Sequence, residues 1–237
     1  MKNQPPCVLV TGFEAFGDDP SGLGLNPSAL AAQALHGLQI AGYTVVAAVL
    51  PCVFGQSIAV LKTLIRQHRP ALVMCVGQAG GRAGISIERL AVNWDDAPLP
   101  DNAGCVLQAV PVVARGPVAY FSTLPLYDMQ TALHNAGMAC ELSSSAGHFV
   151  CNHVFYGLMH SLKTARRKNT SGLEQAPVQG GFIHVPYLPE QAAPSGAPSM
   201  SLQHITQGLR IALHAAIVQL PNLDAIDTIA AWAVSTA

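Results

Sequence analysis

Three side chains in this sequence carry types and settings suited to acyl transfer. Cys151 lies in Ala146-Gly-His-Phe-Val-Cys-Asn152, a stretch that runs from the end of an apolar segment into a helical pattern. A cysteine in or near the first turn of a helix meets free N–H groups and the positive end of the helix dipole. Both favour a thiolate, and the same N–H groups suit an oxyanion. The competing reading is a buried helical cysteine packed against a sheet. His184 follows a short apolar run and precedes Pro186 and Pro189. A histidine at a strand end beside a stiff loop is well placed as a general base, and it fits equally a structural histidine hydrogen-bonded in a loop. Glu88 sits in the alternating run Ile85-Ser-Ile-Glu88, where a buried acid needs a partner. That partner is either Arg82 or Arg89 in a salt bridge, or an imidazole that the carboxylate orients.

Other clusters carry weaker chemistry. His148, Cys151 and His153 form H-x-x-C-x-H, all metal-ligand types. On a helix, however, Cys151 and His153 point about 200° apart. A metal there needs ligands from elsewhere, and none is expected. The Gly-rich stretch 77–84 lacks the Gly-Lys-Ser/Thr ending of a phosphate loop, and a strand-like run follows it rather than a helix. It reads as tight turns beside a ligand. Gln78 within it offers a donor and an acceptor, which matches a cyclic amide.

The elements that must position these groups alternate. Apolar, β-branched runs occur at 7–11, 44–50, 71–76, 85–92, 138–142 and 181–185. Helix-spaced segments occur at 26–38, 56–68, 126–136, 150–162 and 199–218. Strands separated by helices predict an α/β fold, an α/β/α sandwich around a mainly parallel, mixed and twisted sheet. Asn26-Pro27-Ser28 marks a capped helix start, and Pro70 ends a helix. Segments 163–179 and 192–199 read as loops, the first with Arg166, Arg167 and Lys168 at a solvated helix end. Sites in such sheets form beyond the carboxyl ends of the strands, near 12–27, 77–84, 143–151 and 184–191.

Composition narrows the function classes. Half of the 237 residues are hydrophobic, only 11% are charged, and the formal net charge is -1. One catalytic domain over 1–237 is expected, with a loosely held C-terminal segment 220–237. The absence of a basic stripe argues against nucleic acid. The low charge fraction favours self-association. No apolar run reaches the roughly 20 residues that span a bilayer. The N-terminal residues lack a signal-peptide pattern, so the expected compartment is the cytoplasm. Six scattered cysteines without a C-x-x-C pair argue against a zinc ribbon or a disulfide scaffold.

An ordered set of longer motifs goes further. Val10-Thr-Gly-Phe-Glu-Ala-Phe-Gly17, Asn26-Pro-Ser28, Gly77-Gln-Ala-Gly-Gly-Arg82, Glu88-Arg-Leu-Ala-Val-Asn93, Pro100-Asp-Asn102, Ala146 to Asn152 and Gly181-Phe-Ile-His-Val-Pro-Tyr-Leu-Pro-Glu-Gln191 together resemble the bacterial pyroglutamyl peptidase I (pyrrolidone carboxyl peptidase) family. The resemblance spans residue 8 to about residue 215. It implies a thiol peptidase, a hydrolase and exopeptidase that removes N-terminal pyroglutamate from peptides. It also implies a Cys151–His184–Glu88 triad, and a pocket where Phe13 and Phe16 sandwich the lactam with Gln78 and Phe149 nearby. No metal, no cofactor and a homotetramer are implied as well. Two departures stand out. The family commonly has Arg where this chain has Pro98, and segment 18–25 is longer than the usual turn. Two alternatives remain open: a thiol amidase acting on another lactam or N-acyl substrate, and a catalytically weak binder of pyroglutamyl peptides.

Overall fold

A computed structural model describes residues 5–17, 22–168 and 177–220. Its strands are β1 Cys7–Phe13, β2 Gln39–Ile40, β3 Tyr43–Leu50, β4 Leu72–Gln78, β5 Ile85–Glu88, β6 Leu90–Val92, β7 Ala119–Phe121, β8 Cys140–Ser143 and β9 Gln179–Val185. Its helices are α1 Pro27–Leu35, α2 Gln56–His68, α3 Leu126–Asn135, α4 Val150–Lys168, α5 Pro189–Ala192 and α6 Leu202–Ile217. Seven strands form one sheet in the order β2-β3-β1-β4-β9-β5-β8. β1, β3, β4 and β9 run parallel to one another, as do β5 and β8, while β5 meets β9 antiparallel. The expected mixed, mainly parallel sheet is therefore present.

Alternation along each strand divides the core in two. Val8, Val10, Met74, Val76 and Ile183 face α1, α3 and α6, where Leu35, Leu133 and Leu209 pack. Leu9, Phe13, Val73, Cys75 and Phe182 face α2 and α4, where Leu61, Val154 and Phe155 pack. Each fully buried aliphatic or aromatic side chain contributes about 1.5–3 kcal/mol of transfer free energy. The two helical layers and the sheet make the α/β/α sandwich.

Local chemistry sets the ends of the elements near the site. Asn26 Oδ1 accepts from Ser28 N at 3.0 Å and from Ser28 Oγ at 2.7 Å, and Pro27 opens α1. Ser28 Oγ in turn accepts from Phe13 N at 3.0 Å. A Cβ on Gly12 would lie 2.4 Å from the Ser28 carbonyl, so only glycine permits this approach. The cap of α1 thereby fixes the end of β1, where Phe13 begins the loop toward Phe16.

The sequence expectations differ from the structure in several places. The single run at 85–92 is two strands. After Glu88 the chain leaves the main sheet, and β6 pairs with β7 in a small antiparallel ribbon. Asn152 causes the departure: its Oδ1 accepts from Val92 N at 3.0 Å, and its Nδ2 donates to Val92 O and Trp94 O. Helix α4 runs on to Lys168 rather than ending near 162. The short strands β2 and β7 and the one-turn α5 have too few residues to show a period. Residues 18–21, 169–176 and 221–237 lie outside the described residues. The long segment 18–25, the polar loop 163–179 and the C-terminal segment are thus described only in part.

Candidate active site

Strand register brings the first two groups together. Across the antiparallel β5–β9 pair, Glu88 faces Phe182 and Ser86 faces His184. Glu88 and His184 are therefore diagonal neighbours on one face of the sheet, within reach of each other. His184 Nδ1 lies 2.7 Å from Glu88 Oε1, with both side chains buried. A carboxylate only accepts, so Nδ1 carries the proton and Nε2 is left as a base. The same Oε1 accepts from Arg82 Nη1 at 2.7 Å, and Arg82 Nη2 donates to Ser145 O at 3.1 Å. The two partners considered for Glu88 are thus both present.

Cys151 comes from the opposite layer. It is the second residue of α4, whose first intrahelical bond runs from His153 N to Phe149 O at 3.1 Å. The N–H groups before it have no acceptor within the helix. The thiol rests on β4: a Cβ on Gly77 would lie 2.9 Å from Cys151 Sγ and 2.8 Å from Phe182 Cζ. Gly77 is the register partner of His184 on β9. The helix thus sets the thiol over the strand beside the imidazole.

Burial decides the charge state. Desolvation pushes the Cys151 thiol well up, and the fields of Cys52 and Glu88 add to this while Arg82 opposes it. The helix start alone would have lowered it, so the expected thiolate-favouring setting is overridden by the enclosed position. Desolvation likewise depresses His184 below its ordinary 6.5, against the hydrogen bond and charge of Glu88. Burial works against the Glu88 carboxylate too, but hydrogen bonds from His184 and Arg82 outweigh it and hold the group below 4.5. The resting set is a neutral thiol, a neutral imidazole and an ionised carboxylate.

Aromatic rings pack in the same core cluster as the thiol. Phe13 is buried against Phe182, ring centroids 6.2 Å apart. Phe16 meets Phe149 at 5.7 Å, and Phe149 meets the edge of Phe54 at 5.5 Å. Phe13 and Phe16 thus belong to two different ring contacts. Gln78 Oε1 accepts from Gln191 Nε2 at 3.1 Å, and the same nitrogen donates to Leu25 O. Pro98 is exposed on a segment tied to the site's rim. Asp96 N donates to His148 O at 3.0 Å, and Leu99 packs against Gly17.

The metal-type cluster separates. His148 is exposed, while His153 uses both ring nitrogens within the protein, on Asp95 and on Gly55 N. Among the described residues no three His, Cys, Asp or Glu side chains are grouped to hold a metal ion. Phe54, Asn152, and the Asp95–His153 and Asp101–Phe54 links were not read from the sequence. Their partners lie 47 to 98 residues apart, beyond any local pattern.

The sheet and these groups define an α/β/α protein with a buried thiol, imidazole and carboxylate at one end of a mixed sheet. A family model described as pyroglutamyl peptidase matches residues 7–219. A pyrrolidone-carboxylate peptidase of Cupriavidus taiwanensis is 49% identical over 213 residues, 90% of this chain and 93% of that protein. A pyrrolidone-carboxylate peptidase 1 of Ralstonia nicotianae is 50% identical over 209 residues, 88% of this chain and 91% of that one. Among solved structures, pyroglutamyl peptidase I of Bacillus amyloliquefaciens superposes with a TM-score of 0.83 at 40% identity, covering 91% of this chain and 97% of that chain. A mutant pyrrolidone carboxyl peptidase of the hyperthermophile Pyrococcus furiosus gives 0.82 at 38%, covering 90% and 99%. The chain belongs to the pyroglutamyl peptidase family.

Proposed function

We propose that this protein removes N-terminal pyroglutamate from peptides, with Cys151 as nucleophile, His184 as base and Glu88 as the group that orients His184. The peptidase activity follows from membership of the family. The residue roles rest on one observation above all: His184 bonds Glu88 through Nδ1 while Cys151 Sγ lies against the strand partner of His184.

The neutral resting pair shapes the mechanism. As the sulfur attacks the pyroglutamyl carbonyl, the thiol proton passes to His184 Nε2, and the Glu88 carboxylate steadies the imidazolium. Charge builds on the carbonyl oxygen, which the free N–H groups at the start of α4 are suited to receive. The tetrahedral adduct expels the peptide amine, which takes the proton from His184, and a thioester remains. Water then gives a proton to His184 and attacks the thioester. Collapse of that second adduct releases pyroglutamate and returns the proton to the sulfur. Pyroglutamate is flat and neutral, so aromatic walls and an amide partner suit it better than a charged anchor. Phe13, Phe16 and Phe149 supply the walls in this reading. The Gln78 amide, tethered through its oxygen by Gln191, presents its NH₂ to the lactam.

We place the enzyme in the cytoplasm and read the chain as one catalytic domain over 1–237 that works as a homotetramer. The six cysteines are free thiols, which suits a reducing compartment. Helices from positions 27 to 217 pack on one sheet, in support of one domain. Val118, Phe121 and Tyr127 are 85%, 72% and 69% exposed, apolar surface that suits contact between copies.

A fluorogenic pyroglutamyl amide tests the function. Thiol-dependent release that disappears in Cys151→Ala is expected, and release retained in that variant would move the nucleophile elsewhere. Equal turnover of other lactam or N-acyl amides would favour the broader amidase. One observation supports a weaker enzyme that mainly binds: Pro98 brings neither charge nor donor to the rim. A large rate gain in Pro98→Arg would show that a catalytic contribution is missing there.

A further inference from the structure

The first histidine of α4 has a geometry that the triad does not use. His153 is buried, with Nδ1 2.7 Å from Asp95 Oδ2 and Nε2 2.9 Å from Gly55 N. A backbone N–H only donates and a carboxylate only accepts. The ring must therefore be the neutral tautomer with its proton on Nδ1. Asp95 selects that tautomer. Its own backbone is pinned by a two-way bridge to Val110, at 2.8 and 3.0 Å.

What this histidine holds is Phe54. Gly55 is anchored by His153, and Phe54 N donates to Asp101 Oδ2 at 2.9 Å, so the backbone is fixed on both sides of the ring. The Phe54 ring meets the imidazole edge-on at 5.2 Å and 88°. It then meets Phe149 edge-on at 5.5 Å and 89°, and Phe149 meets Phe16. A continuous line of rings thus runs from His153 through Phe54 and Phe149 to Phe16.

We infer that Phe54 is a further ring of the pyroglutamyl pocket and that His153, set by Asp95, is the positioning residue that holds it there. This rests on the pocket reading above. The clamp acts on binding and not on the proton transfers, since its hydrogen bonds and ring contacts run to Asp95, Gly55, Asp101 and Phe149. Losing one edge contact between rings is worth about three- to tenfold in an equilibrium constant.

The test separates binding from chemistry. With a pyroglutamyl amide, Phe54→Leu and His153→Leu are each expected to raise KM about three- to tenfold while kcat moves less than about twofold. His153→Gln, which can still accept from Gly55 N, recovers part of the loss. The double variant shows no further rise, because both changes remove one contact. Calorimetry of a pyroglutamyl peptide binding to Cys151→Ala protein, with and without Phe54→Leu, reads the same change without turnover and so without the peptidase reading. Wild-type KM and affinity in folded Phe54→Leu protein overturn the inference, even where His153→Leu fails to fold. So does a loss confined to kcat, or a double variant whose effects multiply.

Discussion

Glu88 Oε1 receives two donors, the His184 imidazole and the Arg82 guanidinium, each at 2.7 Å. One fixes the tautomer of the base, and the other supplies a full positive charge beside a buried carboxylate. Glu88→Gln keeps an acceptor for Nδ1 but removes the charge that supports the imidazolium, and it leaves Arg82 without its anion. Its kcat/KM is expected to fall by about 10²–10⁴ with KM little changed, as for other nucleophile–histidine–acid sets. The pH profile belongs to the same groups. In the proposed mechanism His184 serves as base only when neutral, and its depressed pKa then places the acid limb of kcat/KM below its ordinary 6.5. Activity is therefore retained on mild acidification and is lost as pH falls through the depressed value. A limb centred at or above 6.5 would contradict the buried, neutral pair.

At the scale of elements, the site is a meeting of α4 with the β4–β9–β5 register, and Gly77 sets the clearance between them. A methyl group there would lie 2.9 Å from the thiol and 2.8 Å from the Phe182 ring. Gly77→Ala must push α4 away or twist Cys151 off its seat. Displacements of about 1 Å at a reacting atom cost on the order of 10²-fold. That loss is expected in kcat, and circular dichroism should show the helices retained. Much of this arrangement was legible beforehand. Helix α2 begins and ends at the residues its spacing predicts, because Pro70 and the turn after His68 leave no way to continue. The three chemical groups were legible as members of ordered motifs. Their geometry was not, since Glu88 and His184 are 96 residues apart and their diagonal contact depends on an antiparallel pairing that no local pattern encodes. The break after Glu88 was hidden for the same reason: the amide of Asn152 takes over the backbone bonds of Val92 from 60 residues away.

For the whole molecule, the buried charges tie stability to pH. His184 titrates lower folded than unfolded, so below about 6.5 the unfolded chain binds the proton first and stability falls with falling pH. Glu88 is also depressed, so a second loss begins below 4.5 as the unfolded carboxylate protonates first. Urea midpoints measured across pH are expected to decline in these two windows. His184→Gln should weaken the upper one, with His160, also depressed by burial, leaving a residual decline, and a midpoint that stays flat from neutral pH to 4.5 would contradict the burial of His184. The central claim is more direct: acyl transfer passes through a thioester on Cys151. Acid quenching during turnover of a pyroglutamyl amide, followed by peptide mass spectrometry, reads that intermediate. The account predicts a pyroglutamyl group on the peptide containing Cys151 and none in Cys151→Ala protein. A group found on another residue, or turnover that persists in that variant, would contradict it.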